Sequence, residues 1–230
     1  MVEFATSELT AEAAYKILIG CIVPRPIAWI STLSAKGHAN LAPFSAFTFV
    51  SSKPPMIAVS FGQRSSGAKD TAKNIARDKE FVVNIADFPL IEAVHRSAFE
   101  FPEDVSEIEV LKLATLPSKD VRPPRLADAP ISLECRLHDV IEFGENRAQL
   151  VVGEVLRFHI RDVLCKDGKI DSAKLNPIAR LGGPNYAKLG EMITFGPSGT
   201  MTPVENASDD VISEVPVHPE ENFPTWRQLP

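Results

Sequence analysis

The chain has 230 residues, of which 44% are hydrophobic and 23% charged, and a formal net charge of −6 at neutral pH. That balance excludes global disorder, a collagen-like chain and a coiled coil, and it argues against nucleic-acid binding or a basic membrane patch. A chain of this length buries a sizeable core without disulfides or a structural metal. Its three cysteines (Cys21, Cys135, Cys165) form no C-x-x-C, and its five histidines (His38, His95, His138, His159, His218) form no close ligand pair. No disulfide framework and no metal site are expected. The N-terminus does not read as a signal peptide, and no run approaches the ~18 apolar residues of a membrane helix, so a cytoplasmic protein without a membrane partner is the expectation.

Thr10 is placed to cap a helix over AEAAYKIL, with Glu12 in its first turn and Gly20 as its stop. PRPIAWISTL (24–33) reads as a strand with Ile27, Trp29 and Ile30 buried and its prolines confined to the start. Gly37 takes the positive-φ position of the turn that follows. ANLAPFSAFTFV (39–50) is extended, with a break or bulge expected at Pro43. SSKPP reads as a loop and MIAVSFG (56–62) as a buried strand. The polar loop 62–71 leads into the helical stretch TAKNIARDKE, capped by Asp70 or Ser66. EFVVNIA (80–86) is a strand and FPLIEAVHRSAFEF a helix with apolar spacing at Leu90, Ile91, Val94 and Ala98. Residues 102–130 are loop-rich. ISLECRLHDVIEFG and NRAQLVVGEVLRFHIRD alternate across a Gly144-Glu145-Asn146 turn and form a β-hairpin. VLCKDGKID is a small strand and turn. Short strands linked mostly by hairpins predict an antiparallel barrel or sandwich with a few helical inserts, and no βαβ repeat.

The loop 62–71 holds Gly62 and Gly67 ahead of Lys69, Asp70 and Thr71 at a helix start. Backbone N–H groups there attract anions, and Lys69 adds a point charge. The spacing is not that of a Walker A loop, so a single terminal phosphate fits better than a triphosphate. A solvated helix start with a surface lysine is the plain alternative. Ser31 and Thr32, and the segment from Asn40 to Ser45, place small polar groups in apolar runs; they suit a planar ligand rich in acceptors, or they are turn residues. Arg25, between two prolines, is available to a phosphate, a carboxylate, or an Asp or Glu of the chain. There is no G-x-S-x-G elbow and no G-x-G-x-x-G fingerprint. His159 reads as a strand histidine, and no catalytic residue is named.

Together, PRPIAWIST, NLAPFSAF followed by SSKPP, KDTAKNI leading to EFVVNI, GEV (153–155) and RLGGPNY (180–186) resemble, in order and spacing, the flavin reductase-like, FMN-binding split-barrel family. The similarity covers residues 14–190 and is to the branch of small NAD(P)H:flavin reductases and flavoredoxin-type proteins. It implies a mainly β fold with helical inserts, a split antiparallel barrel that dimerises, with FMN at the interface of the homodimer. Carried over residue by residue, Ser31, Thr32, Asn40 and Ser45 become polar cofactor contacts. Trp29, Pro43 and Phe44 shape the ring pocket, and Lys69, Asp70 and Thr71 take the phosphate side. Arg25 is a further contact, and Arg180 or Tyr186 meets the incoming substrate. The resemblance implies hydride transfer from NADH or NADPH to FMN. Its alternatives are an electron carrier and an oxygenase component that uses bound flavin. A flavin-dependent monooxygenase that receives reduced flavin is the implied partner.

The charge is unevenly spread. Residues 197–230 hold six acids against Arg227 alone and six of the 19 prolines, which leaves residues 1–196 nearly neutral. The expected organisation is a domain over 1–196 and an acidic, proline-rich arm over 197–230. Phe223 and Trp226 are expected to anchor that arm on the partner subunit.

Overall fold

The computed structural model describes residues 1–62, 69–102 and 104–193. The arm, with Phe223 and Trp226, lies outside them. Thr10 accepts a hydrogen bond from the Ala13 N–H at 3.2 Å and starts α1 (Ala11–Cys21). Gly20 does not stop this helix, because Ile22 still donates to the Leu18 carbonyl. Strands β1 (Arg25–Pro26), β2 (Ala28–Leu33) and β3 (Ala39–Phe44) follow, with Gly37 at φ +84° in the turn between the last two. Pro43 causes no break: it lies within β3, opposite Trp29. β3 is an edge strand, and on its outer side a missing N–H costs no ladder hydrogen bond. The interruption falls one step later, at Ser45 and Ala46.

Strands β4 (Phe47–Ser52) and β5 (Pro55–Phe61) absorb most of the expected SSKPP loop and leave only Lys53-Pro54 between them. Then come α2 (Asp70–Asp78), β6 (Glu80–Ile85), and a 3-10 turn at Phe88–Leu90 that runs into α3 (Ile91–Arg96). The N-cap position of α2 is Lys69, and Asp70 is the first helical residue; Ser66 lies outside the described residues. The stretch expected to be loop-rich contains α4 (Glu107–Val110) and the pair β7 (Thr115–Leu116) and β8 (Arg125–Leu126). The long hairpin is present as β9 (Ile131–Phe143) and β10 (Ala148–Ile160). The small pair β11 (Cys165–Lys166) and β12 (Lys169–Ile170), α5 (Ser172–Leu175), β13 (Ile178–Arg180) and β14 (Tyr186–Lys188) complete the order.

The main sheet has seven antiparallel strands in the order β3-β2-β6-β9-β10-β5-β4. Its two edge strands are consecutive in sequence and joined by Ser45 and Ala46 alone. A link of that length spans roughly 10 Å, so the sheet curls until its edges meet at this corner. The rings of Phe44 on β3 and Phe61 on β5 pack there with centroids 4.4 Å apart. Strand alternation sorts side chains between the two faces. The inner face carries Ile30, Phe44, Ile57, Val59, Phe81, Val83, Leu133 and Val151, with Ile75 of α2 packed into it. The outer face carries Trp29, Leu41, Ala86 and Leu126 against Val94 of α3 and Ile108 of α4. Among the described residues no helix is long and apolar enough to cross a membrane.

Gly153 sits in β10 at a register shift, where a Cβ would lie 2.4 Å from Cζ of the buried Phe81. The Gly153→Ala chain is expected to lose about 1–3 kcal/mol through overpacking. Urea unfolding should show this as a lower midpoint at unchanged slope, and adding Phe81→Leu should recover part of the loss.

Candidate functional site

The N-terminus of α2 opens into a cleft of about 100 Å³ against the edge strand β3. The cleft is lined by Asn40, Ala42 and Pro43 of β3, by Lys69, Asp70 and Thr71, by the segment from Ser97 to Phe101, and by Glu107. Among the described residues no side chain caps α2. Its first-turn N–H groups therefore keep their capacity for an anion, and the helix dipole acts in the same sense. Lys69 Nζ stands 4.9 Å from the centroid of the Phe44 ring, beside this opening.

A network of polar side chains fixes the cleft wall. Asn40 donates from Nδ2 to both carboxylate oxygens of Glu107, at 2.9 and 3.1 Å, and the Leu41 N–H donates to Glu107 Oε2 at 2.9 Å. Asn40 Oδ1 accepts from Thr71 Oγ1 at 3.0 Å and from Thr32 Oγ1 at 3.2 Å. Asn74 of α2 donates to Thr32 Oγ1 at 3.0 Å. Asn40 is thus occupied on both sides of its amide, and it ties the edge strand to the first turn of α2. Burial pushes the Glu107 carboxyl above its ordinary range, and the Leu41 N–H and Asn40 oppose that rise only in part.

The structure gathers Asn40, Pro43, Lys69, Asp70 and Thr71 around one opening. The other expected residues lie behind it. Trp29 is fully buried on the outer face and donates to Ser97 Oγ at 2.9 Å. Ser31 and Thr32, adjacent in sequence, point to opposite faces. Thr32 joins the Asn40 network, whereas Ser31 donates to the Pro124 carbonyl at 2.6 Å. Phe44 belongs to the inner core. Among the described residues Arg25 pairs with no acid. It donates to the carbonyls of Ile19 and Ile22 at 2.6 and 2.7 Å and to that of Leu181 at 3.0 Å, and its Nε reaches Ser45 Oγ at 3.3 Å. That makes it a clamp on the C-terminus of α1.

Arg180 and Tyr186 form a cluster of their own. Arg180 Nη1 donates to the Tyr186 hydroxyl at 2.5 Å, which lies 3.3 Å from His95 Nδ1, and the His95 ring meets Phe99 edge-on at 5.4 Å. The cluster therefore adjoins the cleft through Phe99. Sequence reasoning did not name Phe99, Phe101 or Glu107. The two phenylalanines were read as part of a helix that in fact ends at Arg96. Glu107 had a local signal in the S-x-x-E of Ser106 and Glu109, which marks a helix start.

A carboxyl whose folded pKa is raised stabilises the fold below its unfolded pKa, and this contribution is lost as pH rises through the folded value. Urea midpoints are therefore expected to decline as pH rises above the ordinary carboxylate range. In Glu107→Gln the decline should be shallower, the remainder coming from Asp87, which burial also raises.

The comparisons with known proteins agree with this architecture. An uncharacterized protein of Halalkalibacterium halodurans is 40% identical over 192 residues, covering 81% of this chain and 92% of that one. Nitrilotriacetate monooxygenase component B from Bacillus cereus superposes with a TM-score of 0.82 at 38% identity, over 85% of this chain and 98% of that one. The 2-nitrobenzoate 2-nitroreductase NbaA of Pseudomonas fluorescens superposes with a TM-score of 0.76 at 32% identity, over 89% and 100%. The profile of the flavin reductase like domain matches residues 19–171, from the end of α1 to the start of α5. The chain therefore belongs to the flavin reductase like domain family.

Proposed function

We propose that this protein binds FMN, with the phosphate at the N-terminus of α2 and the ring over the outer edge of β3, and that it is an NAD(P)H-dependent flavin reductase. The observation that carries this reading is the α2 terminus, without a side-chain cap among the described residues, opening beside Lys69 onto an edge strand. A helix N-terminus with a lysine suits a phosphate monoester. The outer side of β3 offers backbone groups outside the ladder, which suit the polar rim of a flavin ring. When bound, the flavin supplies hydride acceptance from the nicotinamide and passes the electrons on.

The chain's own residues hold and orient. Lys69 and the first-turn N–H groups take the phosphate, while Glu107, through Asn40, holds Thr71 and β3 at a fixed separation. Ala42, Pro43, Phe99 and Phe101 border the ring. Backbone N–H groups of the edge stabilise negative charge that builds up there. Trp29, Ser31, Thr32, Phe44 and Arg25 act one layer back, by fixing the strands. Ser45 contributes at the corner, and the cluster of Arg180 and Tyr186 stands where a nicotinamide enters past Phe99.

A cleft of about 100 Å³ is too small for a three-ring system, since sites for such ligands run to about 300–1,000 Å³. A second copy of the chain supplies the missing wall in this reading. The outward-facing Phe49 and Val50 on β4 are consistent with such a homodimer. The similarity to a monooxygenase component B supports a flavin-dependent monooxygenase as the recipient of reduced flavin.

Two measurements test this. Titration of the apoprotein with FMN, read by flavin fluorescence, should show about ten- to a hundredfold weaker binding for Lys69→Gln, the loss of one charge-assisted hydrogen bond. Unchanged affinity would remove the phosphate assignment. Anaerobic stopped-flow mixing of the FMN-loaded protein with NADH and NADPH should bleach the flavin within seconds for at least one of them. No bleaching with either would leave an electron carrier in place of a reductase.

A further inference from the structure

The α2 cleft contains a buried acid with no counter-charge. Glu107 lines the same cavity of about 100 Å³ as Lys69, Asp70 and Thr71, although it is only 6% exposed. The donors around its carboxylate are amides: Asn40 Nδ2 at 2.9 and 3.1 Å, the Leu41 N–H at 2.9 Å, and its own N–H. Among the described residues no Lys, Arg or His pairs with it. Asp70 is the second acid of the cavity, and Lys73 pairs with it at 3.0 Å. The charged groups on the elements around Glu107 are Lys69, Asp70 and Lys73 at the start of α2, Glu109 on α4 itself, and Glu100 in the segment that borders the cleft. β3 contributes the uncharged Asn40 and Leu41.

An ionised Glu107 opposes the ligand that the rest of the cleft attracts. The α2 terminus and Lys69 favour an anion, and a cavity this small holds any occupant within a few ångströms of its whole lining. With Asp70 set against Lys73, a phosphate dianion and an ionised Glu107 together bring three negative charges beside the one ammonium group of Lys69. Like charges in one site disfavour the ionised form of one of them. Burial already pushes the Glu107 carboxyl above its ordinary range, and the Asp70 charge acts in the same sense. Glu107 lacks the counter-charge that Lys73 gives Asp70, so it is the acid placed to take a proton. A protonated carboxyl is an O–H donor, and towards a phosphate oxygen it forms a short, charge-assisted hydrogen bond in place of a repulsion.

We propose that Glu107 is a direct, proton-dependent contact to the ligand: a phosphate monoester enters the α2 cleft together with one proton, which lies between a Glu107 carboxylate oxygen and a phosphate oxygen. This rests on the reading of the cleft as the phosphate site of FMN. A monoanionic ester brings the proton with it, and a dianionic one takes it from solvent. In both cases one O–H···O bond forms, the pair carries one negative charge fewer, and nothing is oxidised or reduced. Binding is therefore linked to pH. Affinity for the ester falls as pH rises, because the proton that the complex needs becomes scarcer. Glu107 has two roles in this account: its carboxylate orders Asn40 and β3 in the empty cleft, and its proton meets the phosphate in the filled one.

Isothermal titration of the full-length apoprotein with FMN, in two buffers of different ionisation enthalpy at about pH 7, counts the protons taken up. The free phosphate is mostly dianionic there, its second pKa being about 6. The unmodified protein is expected to take up close to one proton per FMN more than Glu107→Gln does. Its FMN affinity should fall by up to about tenfold per pH unit on the alkaline side, the slope of a one-proton linkage, and stay level in Glu107→Gln. Riboflavin should bring no proton into either protein. Difference infrared spectra of the unmodified protein should show a protonated carboxyl band that appears with FMN and not with riboflavin, a readout independent of how the variant folds; circular dichroism checks the variant itself. FMN bound more tightly than riboflavin, but with equal proton uptake in both proteins and no carboxyl band, would overturn this contact and leave the phosphate assignment standing. An affinity lowered in Glu107→Gln at every pH with the slope unchanged would reduce Glu107 to a structural residue. Equal affinity for FMN and riboflavin would overturn both the contact and the phosphate assignment.

Discussion

Two residues, Ser45 and Ala46, join the opposite edges of one seven-stranded sheet. No flat sheet satisfies that link, because two residues cannot span the width of seven strands at roughly 5 Å each. The sheet must curl, and the rest of the molecule follows from the curl. It creates an inner face that α2 fills with Ile75, and it leaves β3 as a free edge beside the start of that helix. Arg25 braces the corner by joining Ser45 to the last turn of α1 and to the Leu181 carbonyl. The same constraint thus sets the start of α2 next to an edge strand of the sheet.

The polar residues of the cleft stabilise each other before they meet any ligand. Asn40 has both ends of its amide engaged, and Glu107 is a buried carboxylate whose raised pKa marks its desolvation. Such a network is costly when half satisfied and rigid when complete. Here it is complete, so its role is to hold β3 and α2 at a fixed distance. The groups that border the cleft beside this network are the simpler ones: Lys69, the first turn of α2, and the edge strand β3. That inventory suits a cofactor which carries its own chemistry and asks the protein mainly for placement.

Much of this was legible in the chain itself. Thr10, Gly37 and the long hairpin from Ile131 to Ile160 follow local rules of capping, positive φ and alternation, and they sit where those rules put them. The motifs around Trp29, Asn40 and Lys69 identified the family, which the matching domain over residues 19–171 bears out. What local rules did not reveal was set by the curl. Pro43 looked like a breaker because its place on an edge strand depends on the sheet order. Ser31 and Thr32 looked like one polar pair, yet alternation assigns one to Pro124 and the other to Asn40. Glu107 gained its place only because α4 packs on β3, and the pairing of Glu134 with His159 joins residues 25 apart.

The central claim is that a phosphate at the start of α2 anchors the cofactor. Parallel titration of the apoprotein with FMN and with riboflavin, which differ only in that phosphate, tests it most directly. The account predicts FMN affinity at least tenfold above that of riboflavin, with the gap narrowing in high salt as the charge contribution is screened. Equal affinity for the two flavins would contradict it.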